Sequence, residues 1–200
     1  MKNILLSCLL TLALVGSAQA VTKNYKIGTD SSVTANSADS SGLVINTALD
    51  GGLAGYSFTL NDGQTATFDF FKIWTPEDYV NSDDKIAKTI TAYLDFAIPD
   101  ITASIPGSTV GISAGFFGFL QYGQVTWKDP VFITVDDRKF AITLDDATFN
   151  KGLFGLDDSR CSGAEVHAHV KQVCSKVPDS SATLALLGLS LLALAGLRRR

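Results

Sequence analysis

Hydrophobic and polar positions alternate along most of this chain, and the alternation predicts strands. The clearest run is Lys88 to Ile98, where Ile90, Ala92, Leu94, Phe96 and Ile98 take one side and Thr89, Thr91, Tyr93 and Asp95 the other. Period two of this kind marks a half-buried strand on a core. Tyr56–Leu60 and Thr65–Trp74 flank Asn61-Asp62-Gly63, which predicts a hairpin. Within the second of these, Ala66, Phe68 and Phe70 share a side before Phe71 and Ile73 break parity, and a bulge at Phe70-Phe71 accounts for the break. Further strands are expected at Leu43–Thr47, Ile101–Ile105, Val110–Phe119, Gln124–Trp127, Val131–Val135, Phe140–Leu144 and Glu165–Val173. Turns at Pro106-Gly107, Lys128-Asp129-Pro130 and Asp136-Asp137 divide them. Helical periodicity is nearly absent. Thr75-Pro76-Glu77-Asp78 alone has the cap, proline and acids of a short helical turn.

This pattern predicts an all-β domain, a single antiparallel β-sandwich with a jelly roll among the arrangements that fit. Twelve phenylalanines are expected to fill most of its interior. Residues 22–42 are rich in Ser, Thr, Asp and Asn and read as a flexible lead-in or a weak first strand.

The two ends follow different rules. Met1-Lys2-Asn3, an apolar run from Ile4 to Val15, and Ala18-Gln19-Ala20 form a signal peptide, with Ala18 and Ala20 at the cleavage site. Cys8 lies too early for lipid attachment and belongs to the apolar run. At the other end, Val177-Pro178-Asp179-Ser180-Ser181 precedes sixteen uncharged residues, Ala182 to Leu197, and then Arg198, Arg199 and Arg200. Sixteen helical residues span roughly 24 Å, just short of a hydrocarbon core. Leucines surround this helix instead of lining one stripe, so it is expected in a membrane, with the arginines on the cytoplasmic side.

This tripartite tail resembles the PEP-CTERM sorting signal, in the variant whose motif begins V-P-D-S. Asp179-Ser180 stand where the eponymous form has Glu-Pro. The resemblance covers about 24 residues and concerns processing. It implies export, recognition by a membrane-embedded exosortase, transient anchoring through the helix, and display or release near extracellular polysaccharide. The organisation expected is therefore a signal peptide over 1–20, a lead-in over 21–41, a β-sandwich over 42–176 and a sorting signal over 177–200.

Charge and cysteine content narrow the function. Setting aside Lys2, Asp179 and Arg198–Arg200 from 16 basic and 20 acidic residues leaves 12 against 19, a net of −7. Such a surface repels nucleic acid, which is excluded as a partner. Export permits a disulfide between Cys161 and Cys174, worth roughly 3 kcal/mol for a loop of that size. An extended strand between the two cysteines opposes it, and the bridge stays open.

Candidate chemistry is sparse. His167 and His169, the only histidines, alternate with Val166, Ala168 and Val170, so both point one way. They form either half of a transition-metal site or a plain solvent face shared with Glu165 and Lys171, and two ligands fall short of a zinc site. Asp83-Asp84, Asp136-Asp137, Asp145-Asp146 and Asp157-Asp158 lie at predicted strand ends. Glu77, Asp78, Asp83 and Asp84 make the best calcium candidate, though no known calcium-loop spacing is present. Trp74, Trp127, Tyr93 and Tyr122 would be the residues of a sugar-stacking platform. No nucleophile, phosphate or dinucleotide motif occurs. The expectation is an exported, non-enzymatic structural or adhesive protein without a required cofactor. A glycan-binding module is the alternative, and a secreted hydrolase a more distant one.

Overall fold

In the computed structural model of the chain, residues 22–35, 41–136 and 138–173 are described. They carry twelve strands: β1 Lys23–Ile27, β2 Ser32–Thr34, β3 Asn46–Leu49, β4 Ser57–Leu60, β5 Thr65–Trp74, β6 Lys88–Ile98, β7 Asp100–Ala114, β8 Leu120–Trp127, β9 Val131–Val135, β10 Arg138–Leu144, β11 Ala147–Leu153 and β12 Ala164–Gln172. Two antiparallel sheets result. One runs β11-β8-β7-β6-β1-β4, with β2 added against β6; the other runs β3-β5-β12-β10-β9.

The alternation in β6 becomes burial directly: Ile90, Ala92, Leu94 and Phe96 are fully buried. β12 does the same with Val166, Ala168 and Val170. Their inward faces meet in one core that draws on both sheets. Phe140 of β10 packs edge-on against Tyr25 of β1 and Phe96 of β6, with ring centroids 5.4 and 5.3 Å apart. The expected bulge is present. Val166 pairs with Phe71 and His167 with Asp69, so Phe70 is the extra residue, and Phe70 and Phe71 are both buried.

Residues 23–27 and 32–34 take the strand alternative, in the larger sheet, with Tyr25 and Ile27 buried between polar neighbours. Several other expectations are corrected. Asn61-Asp62-Gly63 joins β4 to β5 but not as a hairpin: β4 pairs with β1, while β5 pairs with β12 and β3. The turn is a corner between sheets. Gly63 takes a φ of 81° there and donates its N–H to the Gln172 carbonyl.

Ile101–Ile105 and Val110 onward belong to a single strand, β7, which runs straight through Pro106-Gly107. The proline is tolerated because β8 pairs with β7 only from Gly107 onward. Gly107 in turn is needed, since a Cβ there would lie 2.5 Å from the Trp127 ring. Thr75-Pro76-Glu77-Asp78 is not helical. Thr75 does accept the Glu77 N–H, but its own N–H is drawn to the Asn150 side chain, which fixes a loop. β11 was not foreseen. The phenylalanines divide as well: six are buried, while Phe116, Phe117, Phe119, Phe132 and Phe154 are exposed.

Candidate functional site

β12 presents Glu165, His167, His169 and Lys171 on the outer face of the smaller sheet, as period two requires. Pairing places β5 on one side of them and β10 on the other. His169 lies opposite Thr67 and Thr143, and Asp145 follows directly on the end of β10. Register therefore gathers a cluster that neither strand shows alone.

The Asp145 carboxylate is its hub. Oδ1 lies 2.7 Å from His169 Nε2 and Oδ2 lies 3.0 Å from His167 Nδ1. His169 Nδ1 is 2.8 Å from the Thr67 hydroxyl, and His167 Nε2 is 3.2 Å from Asp69 Oδ1. For His169, one neutral tautomer satisfies everything: Nε2–H donates to Asp145 and Nδ1 accepts from Thr67. His167 differs. Both its ring nitrogens face carboxylate oxygens, which only accept, so both bonds form together only on a doubly protonated ring.

Burial works to raise the Asp145 pKa, but the hydrogen bonds and charge of His169, followed by those of His167, outweigh it and hold the carboxyl below its ordinary value. Its contribution to stability is therefore present above the unfolded carboxylate pKa and lost as the pH falls through the lower folded value. Glu165 adds an ion pair with Lys72 at 3.3 Å.

The second cluster lies where residues 41–44 meet 77–84. Its carboxylates turn to separate backbone donors: Glu77 accepts from the Val44 N–H, Asp83 from Gly42 and Asp84 from Asn81. Asp84 is buried, and its carbonyl also accepts from Gly111. The acids tie loops together. Asp78 contributes its backbone carbonyl, which receives the Leu156 N–H.

Burial raises the Glu77 pKa against the lowering effect of the Val44 bond, and the Asp84 carboxylate beside it adds to the rise. A carboxyl with a raised folded pKa supports the fold at low pH and withdraws that support as the pH climbs through its unfolded value toward the folded one. Glu77→Gln copies the protonated form in shape and bonding. It is expected to raise the melting temperature at neutral pH and to match the wild type in acid. A melting series across that range checks this, and a constant difference at every pH would contradict it.

Among the described residues, no group of three or more His, Cys, Asp or Glu side chains is arranged to hold a metal ion. The four aromatic residues considered as a sugar platform are divided between the sheets: Trp74 on β5, Tyr93 on β6, and Tyr122 and Trp127 on β8. Trp74 lies under the Arg160 guanidinium at 4.9 Å, and Trp127 Nε1 donates to the Asp145 carbonyl. Cys161 is exposed in the short turn Arg160–Ser162, while Cys174 lies outside the described residues. Ala18, Ala20, the motif Val177–Ser181, the apolar span and Arg198–Arg200 also lie outside them. No helix among the described residues is long and apolar enough to cross a membrane.

Asp145 and Asp69 are the residues that sequence reasoning missed as partners of the histidines. An Asp-Asp pair just after a strand was visible, but the register that sets it beside His167 and His169 was not.

Comparison with known proteins bears on the tail alone. The family model of the VPDSG-CTERM motif matches residues 176–200. The tail is a sorting signal of the PEP-CTERM type. It implies an exported protein, processed by an exosortase-like enzyme and destined for the cell surface or the extracellular space. No significant match was found among curated proteins or among solved structures.

Proposed function

We propose that this exported chain is a non-enzymatic structural or adhesive protein of the cell surface or extracellular matrix. The observation that carries this reading is the mutual saturation of its polar cluster. Both histidines of the chain spend their ring nitrogens on Asp145, Asp69 and Thr67. A general base needs a free lone pair within reach of a substrate proton; the Thr67 hydroxyl takes that of His169, and both His167 nitrogens lie against carboxylates instead of facing open space. What the cluster does supply is cross-strand linkage: it joins β5, β12 and the end of β10 across the exposed face.

Processing is tested by deleting Val177–Arg200 and following the protein. The expected result is loss of surface retention, and undiminished retention would refute the sorting reading. Incubation of the tail-less chain with extracellular polysaccharide then separates the roles.

Glycan binding is the second reading, favoured by one feature. A groove of about 580 Å³ on the outer face of the smaller sheet is lined by Pro130, Phe132, Ala141, Thr143, His169 and Lys171. Phe132 is exposed beside it, as a stacking ring must be. Retention on insoluble polysaccharide that disappears with Phe132→Ala supports this reading; equal retention of both chains contradicts it.

A further inference from the structure

From Ile101 to Trp127 the chain carries no charged residue, a run of 27 in a protein whose composition is 18% charged. The run covers the β7–β8 hairpin from the second residue of β7 to the end of β8. Its apex, Gly115-Phe116-Phe117-Gly118-Phe119, leaves Phe116 81% and Phe117 96% exposed. β11 ends beside it in Leu153, followed by Phe154, and the two are 67% and 78% exposed. The Phe154 N–H donates to the Phe119 carbonyl, and the two rings are 6.3 Å apart.

The apex is built to a definite shape. Gly115 and Gly118 take φ of 81° and 66°, and a Cβ on either would lie 2.4 Å from Phe119 or Ser113. Phe117 and Phe154 themselves adopt φ of 61°, a conformation that bulky side chains avoid. Backbone that turns this way holds the rings outward, where water gives them nothing.

We infer that this phenylalanine apex inserts into the hydrocarbon of a lipid bilayer. Three properties select lipid over another protein surface. The apex is the turn of a hairpin, with Phe116 and Phe117 almost wholly exposed at its tip. Phenylalanine carries about 150–250 Å² of surface, so Phe116, Phe117 and Phe154 offer on the order of 500 Å², and even with the exposed parts of Leu153 and Phe119 the patch stays below the roughly 800 Å² per partner of a stable interface. Finally, the ends of the apex turn bond their own backbone, which lowers the cost of carrying it toward lipid. Gly118 N–H donates to the Gly115 carbonyl, and the Gly118 and Phe119 carbonyls receive Ser113 Oγ and the Phe154 N–H. The absence of charge from Ile101 to Trp127 removes the largest remaining cost. The domain is otherwise acidic, so attachment is apolar and insensitive to salt.

The test uses the full chain with phosphatidylcholine vesicles whose acyl chains are brominated, and Phe117→Trp or Phe154→Trp as reporters. Emission is read as the difference from the parent chain, whose Trp74 and Trp127 are half-buried. Because each reporter reads its own position, whatever the sorting tail does leaves the result interpretable. Phe132→Trp, exposed on the other sheet, is the control. The expected result is a blue shift and loss of most of the emission at 117 and 154, with none at 132. Unquenched reporters at the apex overturn the inference, as does equal quenching at 132. So does a blue shift without vesicles that grows with protein concentration, which would mark contact between copies of the chain.

Discussion

Asn150→Ala is expected to cost about 3 kcal/mol or more, from two separable causes. Asn150 is fully buried on β11 at a φ of 51°. Its side-chain oxygen accepts the Thr75 N–H at 2.8 Å, and its amide donates to the Asp157 and Ser159 carbonyls. One side chain thus ties the end of β5 to the loop that leads into β12. Alanine leaves the buried Thr75 N–H unpaired and also resists the left-handed backbone. Asn150→Gly removes the second penalty alone and should recover about 1 kcal/mol. Urea denaturation of the two variants separates the causes; equal stabilities would show that backbone conformation contributes nothing. Limited proteolysis should cut first within residues 154–163.

Phe140→Ala should be as damaging, about 3–5 kcal/mol, through lost burial and the cavity left behind. Phe140 is the ring on which β1 and β6 of one sheet meet the other sheet, in edge contact with Tyr25 and Phe96. The opening lies at the centre of the core, where both sheets are held by their neighbours and cannot close over it. A domain with 5–15 kcal/mol in hand would lose a large share of it. Lys139→Ala, one position away and exposed, is the control and should change stability by no more than about 0.5 kcal/mol. A loss below about 1 kcal/mol at Phe140 would mean that the sheets repack freely.

What could be read beforehand was whatever depends on neighbours in sequence. β6 and β12 were visible because one face of each is buried over most of its length, although Ile98 at the end of β6 is exposed where the alternation predicts burial, and the Phe70-Phe71 bulge because parity breaks where an extra residue enters. Residues whose meaning depends on pairing stayed hidden. Pro106 looks like a strand end and becomes harmless only because β8 stops short of it. Asn61-Asp62-Gly63 has hairpin chemistry, yet its two strands find partners far away in the chain. Exposed phenylalanines at the β7–β8 apex are composed like a core and differ from one only by position. The same holds for the cluster. That His167 and His169 share a side was plain from spacing, while Asp145 reaches them through the β10–β12 register alone.

The corner at residues 61–64 has a consequence for the order in which this protein can close. There the last strand returns to the beginning: Gln172 is bonded through its backbone to Gly63 and Gln64, and its buried side chain receives the Tyr25 hydroxyl from across 147 positions. β5, second in the smaller sheet, finds one of its two neighbours in β12, the central strand. Contacts of such separation bear the full entropy of loop closure before they return any stability. A chain threaded outward from its amino terminus therefore delivers β1 and β5 long before their partner. The smaller sheet is expected to close only once its central strand β12, just ahead of the sorting tail in sequence, has emerged.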